Sequence, residues 1–197
     1  MAPLHRTLRR DLESTVNKAR EVGERGARAA LDRLAVERAD AWDGLTAPQR
    51  ELRTALRARA RVLGDDTLAA GIPALTEEIA YHAWHRLLFA RFLAENDLLL
   101  HPGGVPVTLQ DCADLAREAG EDDPWAIAGA YAAAMLPGLF RASDPVEQTP
   151  LAPETRVALE GLVTALPAEL FHADDSLGWV YQFWQSKRKD QVNAAGT

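Results

Sequence analysis

Glu78, His82 and His85 fall within about 60° of one another on a helix at ~100° per residue, and Glu169-Leu170-Phe171-His172 supplies a Glu-x-x-His. Carboxylates and imidazoles at such spacings are the ligands of carboxylate-bridged di-metal bundles. Those sites need two Glu-x-x-His motifs and two further glutamates on facing helices. This sequence has one such motif, and the His82/His85 pair has the wrong partner spacing. No metal is therefore assigned, and the histidines are read as the polar stripe of a mostly buried helix.

Asp122-Asp123-Pro124-Trp125 has the outline of the (Asn/Asp)-Pro-Pro-aromatic loop with which amino-methyltransferases hold a flipped-out adenine. Its second residue is Asp rather than Pro. A helix N-cap followed by Pro at the first helical position accounts for all four residues. No glycine-rich turn follows a strand to approach a nucleotide or S-adenosylmethionine, since His101-Pro102-Gly103-Gly104 comes after a helix. Cys112 lies in a helix without an evident base, and Gly-x-Ser-x-Gly does not occur. No catalytic, cofactor-binding or metal-binding residue is assigned in this chain. A third constellation places Lys187-Arg188-Lys189 after Trp179, Val180, Phe183 and Trp184. Cations at a helix C-terminus are favoured by the macrodipole at ~0.3–1 kcal/mol each, while aromatics beside basic residues can stack on and neutralise nucleic acid. Lys187, Arg188 and Lys189 are the nucleic-acid-binding candidates. The aromatics are read as core.

The elements that must position these groups are helices. Leu4, Leu8, Leu12 and Val16 recur every four residues, continuing less regularly through Leu31 and Leu34, which predicts a long amphipathic helix. Gly23 and Gly26 are expected to bend or divide it. Thr46 and Gln49 have the spacing of a capping box, opening a helix with Leu52, Leu56 and five arginines from Arg50 to Arg61. Gly71–Pro73 is expected to break the chain, with Thr76 capping a helix to about Asn96 that is apolar nearly all round and belongs in the middle of a bundle. Shorter helices are predicted from Thr108, from Asp123-Pro124 and from Pro153, and a last one after Asp174-Asp175. The fold class is all-α: a multi-helix bundle over residues 65–197, with an N-terminal amphipathic helical arm or hairpin over residues 1–64.

Charge sorts the possible partners. The 197 residues carry a net charge of −7, but Met1–Gly64 holds 14 basic against 9 acidic residues, and the remainder 8 against 20. An acidic body repels a phosphate backbone, so nucleic acid would have to meet the arm or Lys187–Lys189. The arm is read first as a solvated helix face laced with i,i+4 ion pairs. One cysteine gives no disulfide framework. No apolar run approaches the ~20 residues of a membrane span, and no signal-peptide core opens the chain. No membrane contact is expected, and a cytoplasmic location is.

Tyr81-His82-Ala83-Trp84-His85-Arg86-Leu87, continuing through Arg91, Phe92 and Glu95 to Asn96, resembles the aromatic-Arg-Leu…Arg-Phe…Glu helix near the N-terminus of large adenine-specific DNA methyltransferases. Leu177-Gly178-Trp179-Val180-Tyr181-Gln182-Phe183-Trp184, followed by Lys187–Asp190, is similar to the Leu-Gly-aromatic-hydrophobic-Tyr-Gln-aromatic helix of the same enzymes. They are the Eco57I-like restriction-modification methylases and the PglX-type methyltransferases of BREX phage defence. The resemblance implies the N-terminal helical region of such an enzyme, itself non-catalytic. The methyltransferase domain, with its S-adenosylmethionine site and adenine-binding loop, is expected to follow. It also implies as partners that catalytic domain, DNA through the full-length enzyme, and other proteins of the defence system. The alternative is a free-standing all-α adaptor that binds protein.

Overall fold

A computed structural model describes residues 5–121, 123–173 and 175–195, with side chains through residue 185. Eight helices follow in order, α1 (Arg6–Arg33), α2 (Ala47–Leu63), α3 (Leu68–Glu95), α4 (Leu109–Ala119), α5 (Pro124–Met135), α6 (Pro153–Thr164), α7 (Ala168–Phe171) and α8 (Ser176–Ala195). Among the described residues the one β-type pairing is an isolated bridge between Leu100 and Pro106. The protein is an all-α multi-helix bundle.

α3 is its axis. α1, α2, α5, α6 and α7 all pack against it, which is why its sequence is apolar on most of its circumference. Trp84, Leu88, Ile79 and Leu75 are fully buried on it. α3 also begins earlier than the sequence suggests. Gly71 and Pro73 lie within the helix, with Thr67 as N-cap, and Thr76 is no cap. Its hydroxyl donates to the Ile72 carbonyl at 2.8 Å, as mid-helix threonines do. Pro73 lies past the first turn, so it forfeits the backbone bond to the Ala69 carbonyl, a cost that the packing of α3 on its neighbours must offset. Gly71 is there for a different reason: a Cβ on it would lie 1.7 Å from the Ala60 carbonyl oxygen of α2. The two helices touch backbone to backbone.

α1 runs unbroken past Gly23 and Gly26. Neither divides it; both mark crossings. A Cβ on Gly23 would stand 3.0 Å from the Ala80 Cβ of α3, and one on Gly26 would stand 2.3 Å from the Thr155 Cγ2 of α6. Leu12, Val16, Ala27 and Leu31 of α1, with Leu56 and Ala60 of α2, share one cluster with Trp84, Val163, Phe171 and Trp184. The boundary drawn near residue 64 thus corresponds to the α2–α3 turn, while the core runs through it. A second, smaller cluster joins Ala90, Leu93 and Leu99 to Cys112, Ala128 and Ala132 of the α4–α5 hairpin.

Local chemistry fixes the ends as expected. Thr46 and Gln49 form the capping box of α2, Thr108 and Asp111 that of α4, and Asp123 caps α5 with Pro124 at its start. The end of α1 is held from outside. Arg53 of α2 donates to the carbonyls of Ala35, Arg38 and Ala39, and Arg57 to those of Val36 and Arg38. These cations answer acceptors left free past a helix C-terminus. The expected lacing of i,i+4 ion pairs is therefore not what the arm has. Among the described residues before 64, Arg20–Glu24 is the pair of that kind.

Candidate functional site

The three residues aligned on α3 part company in space. The Glu78 carboxylate takes a two-point contact from Arg59 of α2, at 3.0 and 2.8 Å. His85 enters a ring cluster, stacked on Tyr81 at 5.1 Å and tilted against Phe140 at 5.7 Å and Phe89 at 6.1 Å. Burial there, and then the neighbouring His82, push its pKa down to about 4, so this imidazole is neutral at pH 7. Only His82 faces a carboxylate across the chain: its Nδ1 lies 2.5 Å from Glu147 Oε1. Glu169 and His172 of the Glu-x-x-His segment are exposed at α7. Among the described residues no three metal-ligating side chains converge.

Glu147 is the residue that sequence reasoning did not single out. Its side chain is only 4% exposed, and Arg86 Nη2 stands 3.5 Å from its second oxygen. The proline-rich stretch after Ser143 presents it by folding into turns. The Asp144 side chain accepts from Val146 N at 2.9 Å, and the Thr149 hydroxyl donates to the Pro145 carbonyl at 2.8 Å. An Asp-Pro pair is a turn signal, and that was the available clue. Which residue the turn would aim at α3 is a long-range matter.

Glu147, His82 and Arg86 form one wall of a cleft of about 400 Å³ between α3, the start of α5 and α6, with Trp125 among its lining. A second ion pair lines it as well: Arg156 of α6 donates to Asp123 at 2.6 Å, while the other oxygen of Asp123 caps α5 through Ala126 N at 3.0 Å. Burial, and then the charge of Asp123, raise the pKa of Glu160 nearby. The cleft can hold a polar group between paired charges and an aromatic face. It offers no activated nucleophile. Cys112 lies in the other cluster with its thiol pushed up to about 11 by burial and by Asp111. Asp123, Pro124 and Trp125 serve as cap, first turn and cleft wall. Asp122 lies outside the described residues.

The two segments that carry the family resemblance do come together. Tyr81 of α3 meets Trp184 of α8 edge to face at 5.3 Å. Arg20 of α1 donates to the Trp184 carbonyl at 2.8 Å and pairs with Glu24 at 2.6 Å. Asn96 at the end of α3 donates to the carbonyls of Phe92 and Phe171, at 2.8 and 3.0 Å, and the Arg91 guanidinium lies 5.2 Å from the Phe171 ring. On α8, Val180, Phe183 and Trp184 are buried, while Tyr181 is 55% exposed. Trp179 stacks on Phe183 and carries the Arg9 guanidinium over its ring at 3.5 Å. Trp179, Phe183 and Trp184 are packing residues, and Tyr181 is not. Lys187, Arg188 and Lys189 fall on the backbone of α8, and their side chains lie outside the described residues.

Comparison with protein-family models, with curated proteins and with solved structures finds no match in any of the three. For S-adenosylmethionine the donor set does not fit. Among the described residues there is no strand, hence no strand-turn-helix cradle with glycines under a nucleotide.

Proposed function

We propose that this chain is the non-catalytic N-terminal helical portion of an adenine-N6 DNA methyltransferase of a restriction or phage-defence system. Methyl transfer and the S-adenosylmethionine site belong to a catalytic domain elsewhere in that protein. The observation that supports it is that the two resembling segments share one hydrophobic cluster and touch through Tyr81 and Trp184, although α8 packs mainly on α1. Residues distant in sequence that resemble one family and also pack on each other form a unit. In this reading the bundle braces the catalytic domain and helps it close on DNA.

The second reading, a free-standing adaptor, draws on the cleft beside Glu147, which is large enough for a side chain of a partner protein. Deleting the reading frame and mapping N6-methyladenine across the host genome separates the two. Loss of methylation at one defined sequence is expected for the methyltransferase. An unchanged methylation map overturns it in favour of the adaptor.

A further inference from the structure

From Arg20 on α1 to Arg156 on α6, seven arginines stand within ion-pair distance of a carboxylate. Arg50, Arg53, Arg57 and Arg61 of α2, and Arg38 in the turn before it, have no such partner among the described residues; Arg25, Arg33 and Arg141 have none either, but do not form such a run. At ~100° and ~1.5 Å per residue the four on α2 fall within about 80° of arc and span roughly 16 Å. The helix carries five arginines against the single acid Glu51, in a chain of net charge −7.

Structural duty accounts for only part of this stripe. Arg53 and Arg57 hold the carbonyls at the end of α1, but carbonyls are neutral and leave both charges standing. Partial burial lowers the pKa of Arg57, and the neighbouring charges of Arg53 and Arg61 lower it further. Among the described residues Arg61 makes no side-chain hydrogen bond, and Arg50 makes only a long one to the Asp43 carbonyl, at 3.4 Å. α2 packs mainly on α3 and buries only Leu56 and Ala60, so the helix lies at the periphery. Beside the stripe, Trp42 is 43% exposed and carries the Arg38 guanidinium at 4.2 Å over its ring.

We infer that the arginine stripe of α2, with Arg38 and Trp42 at its edge, docks this chain on the phosphate backbone of duplex DNA. Duplex DNA presents one charge per ~1.7 Å of axis, so a stripe of roughly 16 Å meets enough phosphates for each arginine to take one. Such contacts position a protein without reading sequence. The choice of DNA among polyanions rests on the proposed function. The uncompensated stripe does not.

The test measures binding of the purified chain to a fluorescein-labelled 20-base-pair duplex by anisotropy, between about 50 and 200 mM salt. In the R50Q/R61Q double variant the slope of log K against log salt is expected to flatten by about 1.8, at ~0.9 per phosphate contact. The wild type then loses roughly twelvefold more affinity over that range than the variant does. Circular dichroism melts of the two are expected to superimpose, and R117Q on α4 is expected to bind as wild type. No measurable wild-type binding, or an unchanged slope in R50Q/R61Q, overturns the proposal. Displacement by polyglutamate as effective as by unlabelled duplex also overturns it, and assigns the stripe to an acidic protein. Binding is read here without methylation, so the stripe can fail while deletion still erases the genomic mark, and the reverse.

Discussion

Replacing Gly71 by alanine sets two effects of opposite sign against each other. In a helix interior alanine is ordinarily better than glycine by ~0.5–1 kcal/mol, because glycine loses more backbone freedom on folding. At this position a methyl group would stand 1.7 Å from the Ala60 carbonyl oxygen and 2.6 Å from its carbon. Ordinary contact lies near ~3.5 Å, so α2 and α3 would have to part by roughly 1.5 Å or more. Parting them lifts Leu56 and Ala60, the buried residues of α2, off α3. Overpacking of this kind costs ~1–3 kcal/mol, and the gain in propensity offsets only part of it. Gly71→Ala is expected to destabilise by ~1–2 kcal/mol net. Gly161 of α6 supplies the internal control, since a Cβ there meets nothing within 4 Å. Gly161→Ala is expected to stabilise by ~0.5 kcal/mol or more. Urea unfolding followed by circular dichroism, with linear extrapolation, gives both signs. If both variants stabilise, the close approach of α2 to α3 is not real.

Trp84→Ala is expected to cost ~3 kcal/mol, at the low end for a buried tryptophan, because the indole N–H it removes has no acceptor among the described residues. Trp84→Phe, which sheds the same N–H, is expected to cost less than ~1.5 kcal/mol; equal effects of the two in denaturant melts would contradict the burial of the ring. His85 gives stability a pH dependence. The unfolded imidazole takes its proton near pH 6.5 and the folded one near 4, so unfolding takes up a proton between those values. Stability is complete above pH 6.5 and falls as pH drops toward 4, by up to roughly 3 kcal/mol. His85→Phe is expected to flatten that limb, and a limb of unchanged slope would place its origin elsewhere. Finally, the purified chain is expected to transfer no labelled methyl group from S-adenosylmethionine to adenine-containing DNA. Turnover above background would contradict the assignment of chemistry to another domain.

What the sequence made legible was local or periodic. Thr46 with Gln49 and Asp123 with Pro124 announce helix starts because each cap is satisfied within a few residues. The central place of α3 was visible because a helix touched on most sides must be apolar on most sides. Three features were not visible, and each turns on a partner far along the chain. Gly23, Gly26 and Gly71 look like breaks until Ala80, Thr155 and Ala60 are set beside them. The α2 arginines look like half of an ion-pair lattice until two of them are found on carbonyls of the preceding turn. Glu147 is one acid in a proline-rich loop until the fold sets it against His82 and Arg86. Of the cleft, the sequence showed the polar stripe of α3 that holds His82, but not that Glu147 and the Arg156–Asp123 pair would gather beside it.

Phe92 of α3 packs against both hydrophobic clusters. Because one helix supplies a side to each cluster, the α4–α5 hairpin cannot come away without exposing the α3 flank that the larger cluster shares. Opening of either part is thereby felt by the other, the condition for a single cooperative unit rather than two independent foldons. The amides of α3 between Ile79 and Leu88 are then expected to exchange with solvent only when the whole molecule unfolds.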